Sequence, residues 1–277
     1  MVDRLNNATG VLSALKYLQA NSQEMSQAEA RRSSGLKVQN AREDASAYQS
    51  AAIMRGQGGS LKSVALSLGR AESISDTAIT AAEQVSKLLT KMQETAVAAM
   101  SEDLTAEQRT SYMEQFAGQK EQLGRFIQSA SFDDANILDG SKPNGVVFIA
   151  DAEASQSLTL KGRNLMPGGP IVTLTGSIDL SSPSNANIAH QALTDSIRNV
   201  GNELIDMSSE RKRIEAQKGF VGRLADALAA GVGRMVDADL AGDSAMIQAL
   251  QVKQQLSAQA VGIANDAPQA LLALFRG

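Results

Sequence analysis

Four of the five prolines, Pro143, Pro167, Pro170 and Pro183, fall within 41 residues, and the fifth is Pro268 near the C-terminus. Proline lacks a backbone donor and breaks helix interiors, so this confinement leaves two long flanks open to helix. The flanks carry the matching period. Leu61, Val64, Leu68, Ala71, Ser75, Ala78, Ala82, Val85, Leu89, Met92, Ala96 and Ala99 recur in alternating steps of three and four, with Ser75 as the one polar member. Leu193, Ile197, Val200, Leu204, Met207, Arg211, Ile214, Lys218, Val221, Ala225, Leu228, Val232 and Met235 repeat the steps, interrupted by Arg211 and Lys218. At 1.5 Å per residue each stretch predicts a helix of roughly 60 Å, and each stripe is too narrow to be stable alone. The pair predicts a rod. Thr105 with Gln108 reads as a capping box opening a third helix through Met113, Phe116, Lys120, Leu123, Ile127 and Ala130.

Within the proline-containing region, residues 143–183, the pattern changes. Val146 to Ile149, Ser157 to Leu160 and Ile171 to Thr175 are short, β-branched and bounded by turn residues, which predicts three strands of one small sheet. The chain ends differ again. Val11, Leu15, Leu18 and Met25 form a stripe broken by Ser22, and Ala245, Ala249, Val252, Leu256 and Ile263 form one broken by Gln259. Neither buries enough to offset backbone ordering at roughly 1–2 kcal/mol per residue, so both ends are expected to be largely unfolded in an isolated chain and to fold on assembly.

Composition narrows the function classes. Aromatics are 3% of 277 residues and hydrophobics 43%, so the apolar surface comes from small aliphatic side chains suited to packed helices. The absence of cysteine excludes disulfides and thiolate chemistry. A net charge of −4, with no basic stripe interleaved with aromatics, argues against nucleic acid. No apolar run reaches the ~20 residues that span a bilayer, and the opening Met1-Val-Asp-Arg lacks a cleaved-signal profile.

Candidate chemistry is sparse. The Ser33-Ser34-Gly35 turn lacks the lysine and strand context of a phosphate loop and reads as a linker. Glu43 with Asp44 and Asp133 with Asp134 read as caps and turns rather than as acid–base pairs. His190 is the one histidine, so a two-histidine metal site or a histidine triad within the chain is excluded; it is expected at a surface or helix start. Arg211 and Lys218 are expected to reach carboxylates on another subunit. No polar constellation points to an enzyme, a cofactor or a metal.

Ala30-Arg-Arg-Ser-Ser-Gly-Leu-Lys-Val-Gln-Asn-Ala-Arg-Glu-Asp-Ala45, followed by Met54-Arg55-Gly56, resembles the N-terminal signature of the bacterial flagellins. Gln93-Glu-Thr-Ala-Val97 and Ser131-Phe-Asp-Asp-Ala-Asn-Ile-Leu-Asp-Gly140 continue the likeness. So do Arg234-Met-Val-Asp-Ala-Asp-Leu-Ala241, Gln254-Gln255, Ala264-Asn-Asp-Ala-Pro-Gln269 and Leu271 to Arg276. The likeness covers about residues 5–140 and 190–276 and is to a minimal form without large outer domains, similar to alphaproteobacterial members. Arg32, Glu43 and the glycines Gly56, Gly58 and Gly59 depart from the pattern.

The resemblance implies a mainly α fold, a long antiparallel helical bundle or coiled-coil rod with a small β-hairpin region and paired N- and C-terminal helices. It implies a terminal inner-tube domain of residues 1–42 with 236–277 and an outer-tube rod of residues 43–235. It also implies a structural subunit of the flagellar filament, extracellular and exported by flagellar type III secretion without a cleaved signal. The implied partners are other flagellins, an export chaperone, the filament cap and the hook-junction proteins, with neither nucleic acid nor membrane. A hook-filament junction protein and a non-flagellar helical adaptor rod are the alternatives. Self-assembly is expected through Val11, Leu15, Leu18, Met25, Ala249, Val252, Leu256 and Ile263. An innate-receptor patch, degenerate here, falls on Lys91, Glu94 and Thr95, and O-glycosylation is expected among Thr173, Thr175, Ser177, Ser181, Ser182 and Ser184.

Overall fold

The computed structural model describes the backbone of residues 2–274 and the side chains of residues 12–263. Five helices account for most of it: α1 (Val2–Ser34), α2 (Ala45–Ala98), α3 (Ala106–Gln128), α4 (Pro183–Val236) and α5 (Leu240–Leu274). Between α3 and α4 lie two antiparallel strand pairs, β1 (Ser131–Phe132) with β2 (Ala135–Asn136), and β3 (Val146–Ile149) with β4 (Ser157–Leu160). The chain forms two compact units, one of Met1–Gly56 with Ala227–Gly277 and one of Gln57–Asp226.

In the second unit, all twelve positions of the first apolar seam are buried, Ser75 included, eleven of them on α2 and Ala99 directly after its end. On α4 the fully buried members, Leu193, Val200, Met207, Ile214 and Val221, recur every seven residues, the coiled-coil interval. Helix starts follow from capping. Thr105 and Gln108 exchange both bonds of a capping box at α3. Ser182 accepts the Asn185 N–H at 3.1 Å with Pro183 in the first turn of α4, where its missing donor costs nothing. Just before it, Asp179 accepts from the backbone and hydroxyl of Ser181 and from the Asn185 amide, which holds its carboxyl below the usual range.

The strands at 146–149 and 157–160 occur as expected. The third does not: residues 171–175 join no sheet. Two of their backbone groups are met by α4 side chains, Ser196 Oγ accepting the Thr173 N–H at 3.1 Å and Asn199 Nδ2 donating to the Ile171 carbonyl at 3.2 Å. Val172 and Leu174 are buried beside them, so the β-branched pattern recorded burial rather than pairing. The β1–β2 hairpin was not anticipated. Its turn is Asp133-Asp134, both at positive φ, the geometry that matches strand twist in a two-residue hairpin.

A buried arginine fastens the β region to α4. Arg163 places Nε 2.7 Å from Glu203 and Nη2 3.1 Å from Glu210, and donates from Nη1 to Glu210 and to the Lys161 carbonyl. Seven residues beyond Glu210, Gln217 donates to the Ala150 carbonyl at 2.7 Å. Glu203, Glu210 and Gln217 thus form a heptad ladder beside the apolar one. Removing one partner of a buried ion pair leaves an uncompensated charge and costs about 3–5 kcal/mol. Arg163→Met is therefore expected to lower the urea unfolding free energy by about that amount, and adding Glu210→Gln should restore part of it, since an amide needs no counter-charge.

Candidate assembly interface

The terminal unit is organised by the return of the chain on itself. α1 closes at Gly35, whose φ of +70° suits a left-handed helix cap and whose N–H reaches the Arg31 carbonyl at 2.8 Å. Lys37 N–H then donates to the Val236 carbonyl, and Ala238 N–H to the Gly35 carbonyl, so residues 35–38 run antiparallel to 236–238 through a Leu36–Asp237 bridge. Val38, Ala51, Val232 and Val236 form a small core beneath this crossing, with Leu36, Ala47, Met54 and Met235 packed on it. The acids read as caps serve locally: Asp44 accepts the Ala47 N–H at 2.9 Å, and Glu43 accepts from Gln39 and Asn40. Asp239 accepts the Ala241 and Gly242 N–H groups at the start of α5.

Beyond the crossing, α1 and α5 pack against each other. In the folded state each terminal helix thus has a partner within the chain, which the expectation of ends that fold on assembly did not include. The inward line on α1 is Ala14, Leu18, Asn21, Met25 and Ala28; on α5 it is Ile247, Leu250, Gln254, Ser257 and Val261. Asn21 Nδ2 donates to the Leu250 carbonyl at 3.0 Å, and Arg31 Nε meets Asp243 Oδ1 at 3.1 Å.

The expected assembly residues divide around this line. Leu18 and Met25 are half-buried on it. Leu15 is 48% exposed, Val252 57%, Leu256 60% and Ile263 72%, and Ala249 is exposed with them. The Val11 side chain lies outside the described residues. At 3.6 residues per turn, the α5 stripe is centred roughly 140° around the helix from the inward line. Two helices of 33 and 35 residues therefore cover Ile247 and Leu250 and leave Val252, Leu256 and Ile263, a set of similar size, facing out. Asn21, Ile247 and Leu250 were not singled out from the sequence. Ile247 and Leu250 show the helical step, but Gln254 and Ser257 continue it and mask the line.

The remaining candidates lie on the second unit. Lys91 and Glu94 are exposed on α2 and line a groove of about 810 Å³ with Gln115, Gln119 and Gln122 of α3. Thr95 is buried, its hydroxyl donating to the Lys91 carbonyl at 3.0 Å and accepting from Gln119 at 3.3 Å. Thr175, Ser177, Ser181 and Ser184 are exposed. Thr173 and Ser182 are half-buried with their oxygens engaged, Thr173 with Ser196 and Ser182 with Asn185. His190 is half-buried two turns into α4, with Nδ1 buried and without a hydrogen-bond partner among the described residues.

Arg211 and Lys218 correct another expectation. They pair within the chain: Arg211 bonds Asp76 and lies 3.6 Å from Glu72, and Lys218 Nζ lies 2.8 Å from Glu72. The Asp76 bond, with the nearby carboxylate charges, raises the Arg211 guanidinium further above its usual value. Acidic residues on the flank of α2 stand opposite them, so the two interruptions in the α4 seam are met from α2 rather than from outside.

Residues 5–143 match the bacterial flagellin N-terminal helical region, and residues 190–275 match the bacterial flagellin C-terminal helical region. The chain is 40% identical to flagellin FljJ of Caulobacter vibrioides over 197 residues, 71% of each chain. It is 31% identical to flagellin FljM of the same organism over 275 residues, 99% of each. A solved structure of a Vibrio parahaemolyticus protein described as hook-associated shares the fold, with a TM-score of 0.57 at 10% identity, covering 70% of this chain and all of that one.

Proposed function

We propose, from the premise that this chain belongs to the bacterial flagellin family, that it enters the filament through the outward stripe of its terminal helix pair. The protein is a structural subunit of the flagellar filament, and its family self-assembles. The observation that supports the stripe as the polymerising surface is the mismatch between the faces of α5. Val252, Leu256 and Ile263 stand in solvent while Gln254 and Ser257 face α1. Burial of a large aliphatic side chain stabilises by about 1.5–3 kcal/mol, and the terminal pair has those contributions still to make. A patch that meets a different patch on the next copy does not close on itself and yields an open helical polymer. On this reading residues 1–42 with 236–277 line the inner tube and residues 43–235 the outer one.

The same reading makes the protein non-enzymatic, extracellular and exported by the flagellar type III route without a cleaved signal. An export chaperone, the distal cap and the hook-junction proteins are its further partners. Among the described residues no helix is long and apolar enough to cross a membrane.

Leu256→Arg tests the stripe. At an exposed position the change should shift monomer stability by no more than about 0.5 kcal/mol in thermal unfolding, whereas an unpaired charge in a packed subunit contact costs several kcal/mol, so seeded polymerisation should fail. Ile247→Asp, on the inward line, should instead reduce monomer helicity by circular dichroism. Normal polymerisation of the Leu256→Arg chain would end the reading.

O-linked glycans are expected on Ser177 and Ser184, whose hydroxyls are exposed, and not on Thr173 or Ser182; intact mass and peptide mapping of native filaments would show 29.1 kDa plus glycan. Activation of the vertebrate flagellin receptor should be weak. Lys91 lacks the fork of a guanidinium, and the buried Thr95 offers no apolar surface to a partner. A reporter-cell dose response as sensitive as that to an enteric flagellin would contradict this.

A further inference from the structure

Between α2 and α3 two polar faces converge on the groove that Lys91 lines. Residues 84, 87, 91 and 94 of α2 and 115, 119, 122 and 126 of α3 recur in steps of three and four, so each set is one face of its helix. On α2 that face reads Gln84, Lys87, Lys91 and Glu94; on α3 it reads Gln115, Gln119, Gln122 and Phe126. The groove holds about 810 Å³, within the range of about 300–1,000 Å³ typical of small-molecule sites. Gln84 and Phe126 also line an adjoining hollow of about 450 Å³, so the groove continues along both helices.

The floor of the groove carries an unmet acceptor. Thr95 spends its hydroxyl proton on the Lys91 carbonyl at 3.0 Å, so toward Gln119, 3.3 Å away, it can only accept. That sets the Gln119 amide with Nε2 on Thr95, and Oε1 is left buried with no hydrogen-bond partner among the described residues. Such an oxygen gains by turning to a donor brought into the groove. The walls are unmet as well. The side chains of Gln84, Gln115 and Gln122 and the ammonium groups of Lys87 and Lys91 make no hydrogen bond or ion pair among the described residues. The two lysines stand one helical turn apart, a spacing at which like charges repel, and Glu94 pairs with neither.

We propose that this groove binds an acidic oligosaccharide, a short uronic-acid chain. Each carboxamide offers both donors and an acceptor, and each sugar hydroxyl does the same, so a row of amides matches a polyol. A carboxylate on the sugar relieves the repulsion between Lys87 and Lys91. Phe126, half-buried, gives the C–H face of a sugar ring an apolar platform beside the amides. An acidic peptide would answer the lysines, but its donors and acceptors run along one backbone line, whereas hydroxyls radiate around a ring and reach both walls. The groove lies within the second unit, so the proposal is independent of the polymer contact.

Isothermal titration of the full-length monomer with trigalacturonate tests it. Saturable binding is expected, and it should weaken by about tenfold or more for neutral maltotriose and for a chain carrying Lys87→Gln with Lys91→Gln. Gln119→Leu, which keeps the bulk of the side chain and removes its amide, should weaken trigalacturonate binding about fivefold while circular dichroism stays helical. Lys212→Gln, at an exposed lysine that does not line the groove, should change nothing. Absence of saturable binding overturns the proposal. Triglutamate binding equal to that of trigalacturonate, or an equal loss with Lys212→Gln, marks charge alone and overturns it too. A Gln119→Leu chain that stays helical and binds as tightly as the parent does the same.

Discussion

A helix with one narrow apolar stripe cannot stand alone in water, and every long element of this chain is such a helix. What differs along the chain is where the cover comes from. In the second unit α2 carries eleven buried seam positions, α4 contributes a buried residue every seven, and α3 adds Phe116, Leu123 and Ile127. Even the two charged positions in the α4 seam are answered within the chain by Glu72 and Asp76. In the terminal unit the cover runs short. α1 and α5 meet along a line in which Gln254 and Ser257 stand between Leu250 and Val261, and Val252, Leu256 and Ile263 are left on the other side. A complete unit and an incomplete one in the same chain are what a polymer subunit requires, because a subunit that satisfied all its own stripes would have no reason to associate.

Sequence periodicity was informative where one face dominates. The α2 seam reads out position by position because its opposite face is polar, leaving a single solution in phase. On α5 both faces carry Ile, Leu and Val at helical spacing, so period alone does not choose between them, and the single chain buries the face with Ile247 and Leu250. The choice was illegible because it depends on contacts with α1, such as the Asn21 bond to a carbonyl 229 residues away. The β region divides for a similar reason. Residues 146–149 and 157–160 pair with each other and could be found locally, but the backbone of 171–175 is satisfied by Ser196 and Asn199, which no local pattern announces. In the loop read as a turn, Asp133-Asp134 proved to be a hairpin, since two successive positive φ values bring the flanking residues into register.

Polar groups in buried positions mark the places where the fold is specified rather than merely stabilised. Arg163 is held by two carboxylates and the Lys161 carbonyl, so its charge and its donor geometry are both met, and the β region can sit on α4 in only one register. Asn21 is met by half, with one amide group bonded and the other not. Both units leave buried polar atoms without a partner among the described residues, Asn21 Oδ1 in the terminal unit and Gln119 Oε1, Asp151 Oδ1 and His190 Nδ1 in the second.

The glycines of α2 extend the argument to the backbone. A Cβ added at Gly56, Gly58 or Gly59 would meet nothing within 4 Å, so no neighbour demands a small residue there. Each glycine in a helix interior costs roughly 0.5–1 kcal/mol relative to alanine, through the entropy lost on ordering it. Helix α2 nevertheless runs unbroken from Ala45 to Ala98, because Ala51 on one side and Leu61 on the other are buried and hold the flanking turns. Beyond Met54, which packs on the small core of the terminal unit, the segment between them has few buried side chains. Local opening of α2 is therefore least costly across these residues, where few side chains would have to leave a core.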